Sequence, residues 1–342
     1  MKVKLLAVTA ALAAGSFAVL AQTPAPAQKG TLENVRAKGF VQCGVTTGLA
    51  GFAAPDSQGV WKGLDVDFCR ALAAAVFGDA SKVRYTPTTA VQRFPALQSG
   101  EVDLLARNTT WTMVRDTTLG FNFAGVNFYD GQGFMVPKKL NVKSAKQLGG
   151  ATVCVQPGTT TELNLADYFR ANKMTMKPVV IEKLEEVTAA YFAGRCDVYT
   201  TDVSGLVSVR GSRAPNPADH VILPEVISKE PLGPVVRHGD DRWFDVVKWT
   251  LNAMIEGEEM GLTSANIDQH LASKDPAVQR FVGATGDLGK GLGVDNKWAY
   301  NIIKMVGNYG ESFERNLKPL GFDRGLNELW TKGGLMYSPP IR

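Results

Sequence analysis

GLDVDFCRALAAAV, residues 63–76, is the stretch whose reading decides the fold. Asp65 and Asp67 lie where the first turn of a helix favours acid, Phe68, Leu72, Ala75 and Val76 recur on one face, and Gly78 supplies the stop. The spacing predicts a helix over Asp65–Phe77. Upstream, Phe40–Thr46 reads as a strand, and downstream Val83–Thr86 reads as a second. Val91–Ser99 follows as a helix, with Phe94 and Leu97 inward, Pro95 tolerable in its first turns and Gly100 at its end. Val102–Ala106 is a third strand. The order β-α-β-α-β implies a parallel sheet with right-handed crossovers.

The same order recurs further along. Ala151–Gln156, Val179–Glu182 and Cys196–Thr200 read as strands, and Thr159–Ala171 and Glu186–Ala193 as helices. Local spacing repeats as well: Gly100-Glu101-Val102-Asp103 precedes Asn108, and Gly194-Arg195-Cys196-Asp197 precedes Asp202, each five residues on. Two similar α/β lobes predict a cleft, with ligand outside the carboxyl ends of the strands. Those ends are Thr46-Thr47, Asn108-Thr109-Thr110, Gln156-Pro157-Gly158 and Thr201-Asp202. The chain crosses between lobes at Tyr129–Val136 and again around Ser228–Arg237, where Pro231, Gly233 and Pro234 fall. Two crossings place an inserted second lobe at 134–235, between 32–133 and 236–342 of the first lobe. The latter part is a helical extension through Trp243–Glu259 and Trp298–Asn308. The glycine-rich Gly283–Gly293 follows no strand and reads as a loop.

Composition narrows the class. In 342 residues, 37 Lys and Arg face 33 Asp and Glu, a formal charge of +4, with 45% hydrophobic and 20% charged residues. That is a globular balance, without the clustered cations of a nucleic-acid binder. His220, His238 and His270 lie too far apart in sequence for a multi-histidine metal site. Lys2 and Lys4, the apolar run from Leu5 and the small residues before Gln22 have the layout of a signal peptide over 1–21, with a flexible leader over 22–31. An uncleaved anchor is the alternative, but the run is short for a bilayer. In an oxidising compartment, Cys43, Cys69, Cys154 and Cys196 read as disulfides. Of three connectivities, Cys43–Cys69 with Cys154–Cys196 keeps each bridge within one lobe. Zinc would need tighter spacing.

Few residues are placed to carry chemistry. A guanidinium at a cleft rim grips a carboxylate through two parallel hydrogen bonds, and Arg115 follows the third strand of the first lobe. Its spacing fits a surface arginine equally well. Asp202 ends the matching strand of the second lobe and suits an ammonium group, or a helix cap. Asp103 and Asp197 read as structural. Gly158-Thr159-Thr160-Thr161-Glu162 opens a helix, so its free N–H groups make an anion site, while Thr159 and Glu162 also have capping-box spacing. Phe52, Trp61 and Trp111 are candidates for a side-chain pocket or for core. GxSxG, HExxH and Walker patterns are absent, and no cofactor motif occurs.

Taken together these segments resemble the family 3 periplasmic solute-binding proteins, the amino-acid receptors of ABC importers. Residues 63–76, 102–115 (VDLLARNTTWTMVR) and 194–202 (GRCDVYTTD) carry the likeness. Residues 107–112, 129–135, 158–169, 194–197 and 228–234 resemble the general L-amino-acid-binding subgroup. The resemblance implies a two-lobe, Venus-flytrap fold of class α/β, closing by a hinge on a free L-amino acid, broad in specificity with polar and acidic ligands favoured. It implies that Arg115 grips the ligand α-carboxylate, helped by the backbone N–H groups of Thr110 and Thr160. Asp202 would hold the α-ammonium with the carbonyl of Asn108. Thr46, Phe52, Gln156 and Thr159 would complete the site. Asn108 stands where many relatives have Gly. The partners implied are ABC permease subunits, for a periplasmic monomer without catalytic residues or cofactors. A periplasmic enzyme on the same fold is the competing class, with Glu162 its one nearby acid. A sensor ectodomain is the third, and the absence of a membrane segment after the last helices argues against it.

Overall fold

The computed structural model describes residues 30–342. The expected signal peptide and nearly all of the leader lie outside the described residues. Two five-stranded sheets form the cores of two lobes. In the first the order is Val83–Thr88, Val41–Thr46, Leu104–Leu105, Val235–Arg237, Phe121–Phe123; in the second it is Lys177–Val180, Thr152–Val155, Val198–Asp202, Gln132–Pro137, His220–Ile222. The first three strands of each run parallel, as the β-α-β-α-β reading expects. The fourth strand of each runs antiparallel to both its neighbours, so both sheets are mixed rather than wholly parallel.

The fourth strand of each sheet is the segment that has just crossed from the other lobe. Gln132 already pairs with Asp202, and Val235 with Leu105. Between the lobes, Phe128–Asp130 and Glu230–Leu232 pair as a two-stranded antiparallel ribbon. That ribbon is the hinge.

The quoted helix spans Leu64–Phe77, and almost all of its residues are buried. One side packs on the first sheet and the other is covered by the helices Asp241–Glu259, Trp298–Met305 and Tyr309–Asn316. A helix covered on both sides must be apolar nearly all round, which is why the run of alanines continues past the expected single face. Of its two buried carboxylates, Asp67 is satisfied by the extension: Ser312 Oγ donates at 2.8 Å, Asn316 Nδ2 at 2.6 Å and Arg315 Nη2 at 2.5 Å.

Cys43 is bonded to Cys69, tying the first strand to this helix, and Cys154 to Cys196 within the second lobe. Part of the glycine-rich segment read as a loop forms a short helix, Leu288–Leu292. Among the described residues no helix is long and apolar enough to cross a membrane.

Candidate ligand-binding cleft

The first lobe contributes the turn after Leu104–Leu105. Asn108 has φ +36°, in the left-handed region that Gly and Asn enter most readily. That requirement accounts for an Asn at this position. Its N–H donates to Asp65 Oδ2 at 3.0 Å, and Asn127 Nδ2 donates to Asp65 Oδ1 at 3.2 Å. Burial raises the Asp65 carboxyl to about 6 against these hydrogen bonds. Two residues on, Thr110 O accepts from Arg115 Nη1 at 2.7 Å. Arg115 lies on a π-helical turn, Val114–Thr118, with its guanidinium carbon 5.3 Å from the centre of the Phe94 ring.

The second lobe contributes a helix start and a strand end. Gly158 has φ +69°, and Thr159 caps the helix Thr160–Ala171 by accepting from Glu162 N at 3.1 Å. The Glu162 carboxylate accepts from Gly158 N at 3.0 Å, so it serves the turn. Asp202 ends the strand Val198–Asp202, buried, and among the described residues its carboxylate accepts no hydrogen bond. Burial pushes its pKa well above the usual carboxylate range; nearby Asp130 and Glu230 add to the shift, and Arg93 and Arg115 oppose it.

The lobes meet directly. Thr110 Oγ1 and Thr160 Oγ1 are 3.3 Å apart, and both donate to Glu230 Oε2, at 2.6 and 2.8 Å. Asn164 Nδ2 and Ser228 Oγ donate to the other oxygen of Glu230, at 2.8 and 2.6 Å. On other edges Thr89 Oγ1 donates to Glu182 Oε1, Ser208 Oγ to Ala50 O and Arg213 Nη2 to Gly48 O. This is the closed arrangement of the two lobes.

Two adjoining cavities lie between the lobes. One is lined by Arg93, Thr110, Thr159, Thr160 and Asp202 among others. The second is lined by Thr46, Leu49, Leu184, Tyr199 and Gly205. Arg107, Asn108, Gln156 and Thr201 line both. Seven of the anticipated residues, Thr46, Asn108, Thr110, Gln156, Thr159, Thr160 and Asp202, therefore stand on cavity walls. Arg115 stands behind Thr110 rather than on the wall.

Phe52 does not belong to this set. Its ring is buried in the first lobe, 5.3 Å from Phe128 and 6.4 Å from Phe322, both edge-on. Trp61 packs on Tyr85 and Trp111 stacks on Phe123, and none of the three aromatics lines either cavity. Three charged residues escaped the sequence reading. Arg93 opens a helix and Arg107 follows a strand, positions that ordinarily look solvated, yet both are buried. Desolvation lowers the pKa of each, that of Arg107 to about 10. Glu230 lies in the second crossing; a carboxylate amid hinge prolines and glycine was the signal available.

Two lobes closing on a buried polar chamber, with cations on one wall and an acid on the other, define a solute receptor. Residues 41–265 match the bacterial extracellular solute-binding proteins, family 3, and the chain belongs to that family. It is 62% identical to the general L-amino acid-binding periplasmic protein AapJ of Rhizobium johnstonii, covering 100% of both chains. It is 55% identical to the glutamate/glutamine/aspartate/asparagine-binding protein BztA of Rhodobacter capsulatus, covering 96% of this chain and 98% of that one. A periplasmic binding protein from Brucella ovis with glutathione bound superposes with a TM-score of 0.90 at 59% identity, over 92% of this chain and 100% of that one.

Proposed function

We propose that this chain is the periplasmic receptor of an ABC importer for L-α-amino acids, polar and acidic ones favoured, and that it performs no catalysis. The observation carrying this reading is the juxtaposition in one cavity of Asp202 with Thr110 and Thr160, the two threonines fronting Arg115 and a helix N-terminus. A zwitterion fits that array. Its ammonium pairs with Asp202, whose raised pKa marks a buried carboxylate in want of a cation. Its carboxylate meets the N–H groups of Thr110 and Thr160, with Arg93 on the same wall, and Arg115, held behind Thr110 by its carbonyl, turns its remaining N–H groups to the carboxylate once ligand is bound. Recognition of the ligand backbone by fixed opposite charges leaves side-chain selectivity broad, in keeping with the names of the relatives. Export by the sequence at 1–21 and delivery to permease subunits complete the reading.

A second ligand class, γ-glutamyl peptides, draws support from the second cavity and from the glutathione held by the Brucella ovis relative. Such peptides keep a free α-amino-acid end and extend beyond it.

Calorimetry of the mature protein against the twenty amino acids, glutathione and the α-hydroxy analogue of glutamate tests the reading. Tight binding of several amino acids, weak binding of the hydroxy acid and recovery of every ligand unchanged are expected. Equal affinity for hydroxy and amino acid removes Asp202 from its role. Conversion of the ligand that disappears in Glu162→Gln installs the enzyme reading instead.

A further inference from the structure

We propose that Arg107 reads the ligand side chain, selecting α-amino acids that carry a carboxylate or carboxamide at the far end. The inference rests on the amino-acid reading above and goes beyond it by naming the contact. Arg107 is 6% exposed, yet its guanidinium makes a single hydrogen bond, from Nε to Thr88 O at 3.2 Å. Among the described residues its four terminal N–H groups make no hydrogen bond to protein, and no ion pair involves it. Donors left open on a largely buried residue call for an acceptor from the cavity. Both cavities run along it.

The placement decides what completes it. The first cavity holds Asp202, Thr110 and Thr160, and so takes the common α-amino-acid end. The second opens past Asn108, Gln156 and Thr201, and its other walls are Thr46, Leu49, Leu184, Tyr199 and Gly205. Arg107 is the one charged residue on those walls. A side chain entering from the first cavity therefore meets a single cation, in a fork that accepts two oxygens side by side. Gln156 stands opposite as a weaker partner, because its Nε2 is committed to Glu182 O at 2.7 Å. A cation offering only donors favours an acceptor-bearing end over apolar or cationic ones. Glutamate, glutamine, aspartate and asparagine share that chemistry.

A structural role competes, because the charge of Arg107 also faces Asp65 and Asp202. The two roles separate by ligand. Binding of glutamate, glutamine, norvaline and alanine to the wild type, Arg107→Met and Arg107→Lys is measured by calorimetry, with circular dichroism and melting as folding checks. Norvaline matches the carbon chain of glutamate and lacks its oxygens. The wild type is expected to prefer glutamate and glutamine over norvaline by at least about tenfold, the scale of a charge-assisted hydrogen bond. Arg107→Met erases that preference, costing glutamate and glutamine more affinity than norvaline and alanine. Arg107→Lys retains part of the preference for glutamate and loses that for glutamine. An equal loss for all four ligands overturns the inference in favour of a structural role, as does a glutamate preference that survives in Arg107→Met. Should Arg107→Met fail to fold, Arg107→Lys and the wild-type preference decide. Failure of alanine and every other amino acid to bind the wild type refutes the receptor reading itself, a distinct result.

Discussion

The two lobes are built on one plan and finished with opposite charge. Each sheet runs edge strand, first strand, third strand, then a returning strand from across the hinge, and each delivers its third strand to the cleft. At that equivalent place the first lobe carries Arg107, with Arg93 and Arg115 close by, while the second carries Asp202 and the open end of a helix. On the proposed reading, neither lobe alone recognises both ends of a zwitterion, and the site exists only where the cationic and the anionic wall meet. Substitution on each wall then asks whether the two contribute by different physics.

The largest effect is expected on the cationic side. Arg115→Ala leaves a ligand carboxylate buried beside an unsatisfied Thr110 carbonyl, at a cost of roughly 2–5 kcal/mol in binding. Arg115→Lys is also poor, since a point charge does not reproduce the fork. Wild-type affinity in a folded Arg115→Ala protein would transfer the carboxylate to Arg93, which lines the cavity directly.

The second contrast concerns stability. The bridges close loops of similar size, with separations of 26 residues in the first lobe and 42 in the second. Chain entropy alone gives about 3.5 and about 4 kcal/mol respectively. The first bridge also lies inside a core clamped by the extension. Cys154→Ala with Cys196→Ala is therefore expected to lower the melting temperature at least as much as Cys43→Ala with Cys69→Ala. A clearly smaller loss from the second-lobe pair would show that loop length does not govern the bridges.

The third tests the anionic wall through pH. Burial raises the Asp202 pKa, and a ligand ammonium lowers it again, so binding releases a proton while Asp202 is protonated in the empty cleft. Affinity then rises with pH from the ordinary carboxylate range up to the raised pKa, by at most about tenfold per unit for one proton, and levels off above it. Asp202→Asn flattens that profile. A calorimetric profile already flat in the wild type would place the ammonium elsewhere.

How much of this was legible in the sequence depends on whether a residue acts locally. The β-α-β-α-β order, the strand ends and Asp202 follow from periodicity and capping, which are local properties. Asn108 was read from its place at a strand end, and its backbone angle explains the residue type. Phe52 was misassigned because a loop aromatic is apolar in either setting; its partners Phe128 and Phe322 come from the hinge and the extension. Arg93, Arg107 and Glu230 are buried only because two distant segments close over them. Nothing within ten residues of each records that. The antiparallel fourth strand of each sheet was equally hidden, since the partner lies across the hinge in sequence.

The smallest effect belongs to a feature that one lobe alone possesses. The hinge strand Phe128–Asp130 has Glu230–Leu232 on one edge, and on the other Asn327, a buried residue of the extension. Tyr129 N donates to Asn327 Oδ1 at 2.6 Å and Asn327 Nδ2 donates to Tyr129 O at 3.1 Å, so one amide completes the strand as a neighbouring strand would. Arg324, paired to Glu258 at 3.1 Å and donating from Nε to Asn327 O at 2.9 Å, holds that amide in place. Asn327→Ala removes both bonds and leaves Tyr129 with a half-buried donor and acceptor, a loss of about 1–2 kcal/mol in stability. Asn327→Asp keeps the acceptor for Tyr129 N but sets a carboxylate against Tyr129 O, so it is expected to cost no less than alanine. Ligand affinity should change by less than about threefold, because the extension braces the hinge from the first lobe and touches neither cleft wall. A melting experiment beside a calorimetric titration separates the two readouts. A large loss of affinity with unchanged melting would mean that the extension sets the lobe angle, and that the asymmetry between the lobes reaches the site itself.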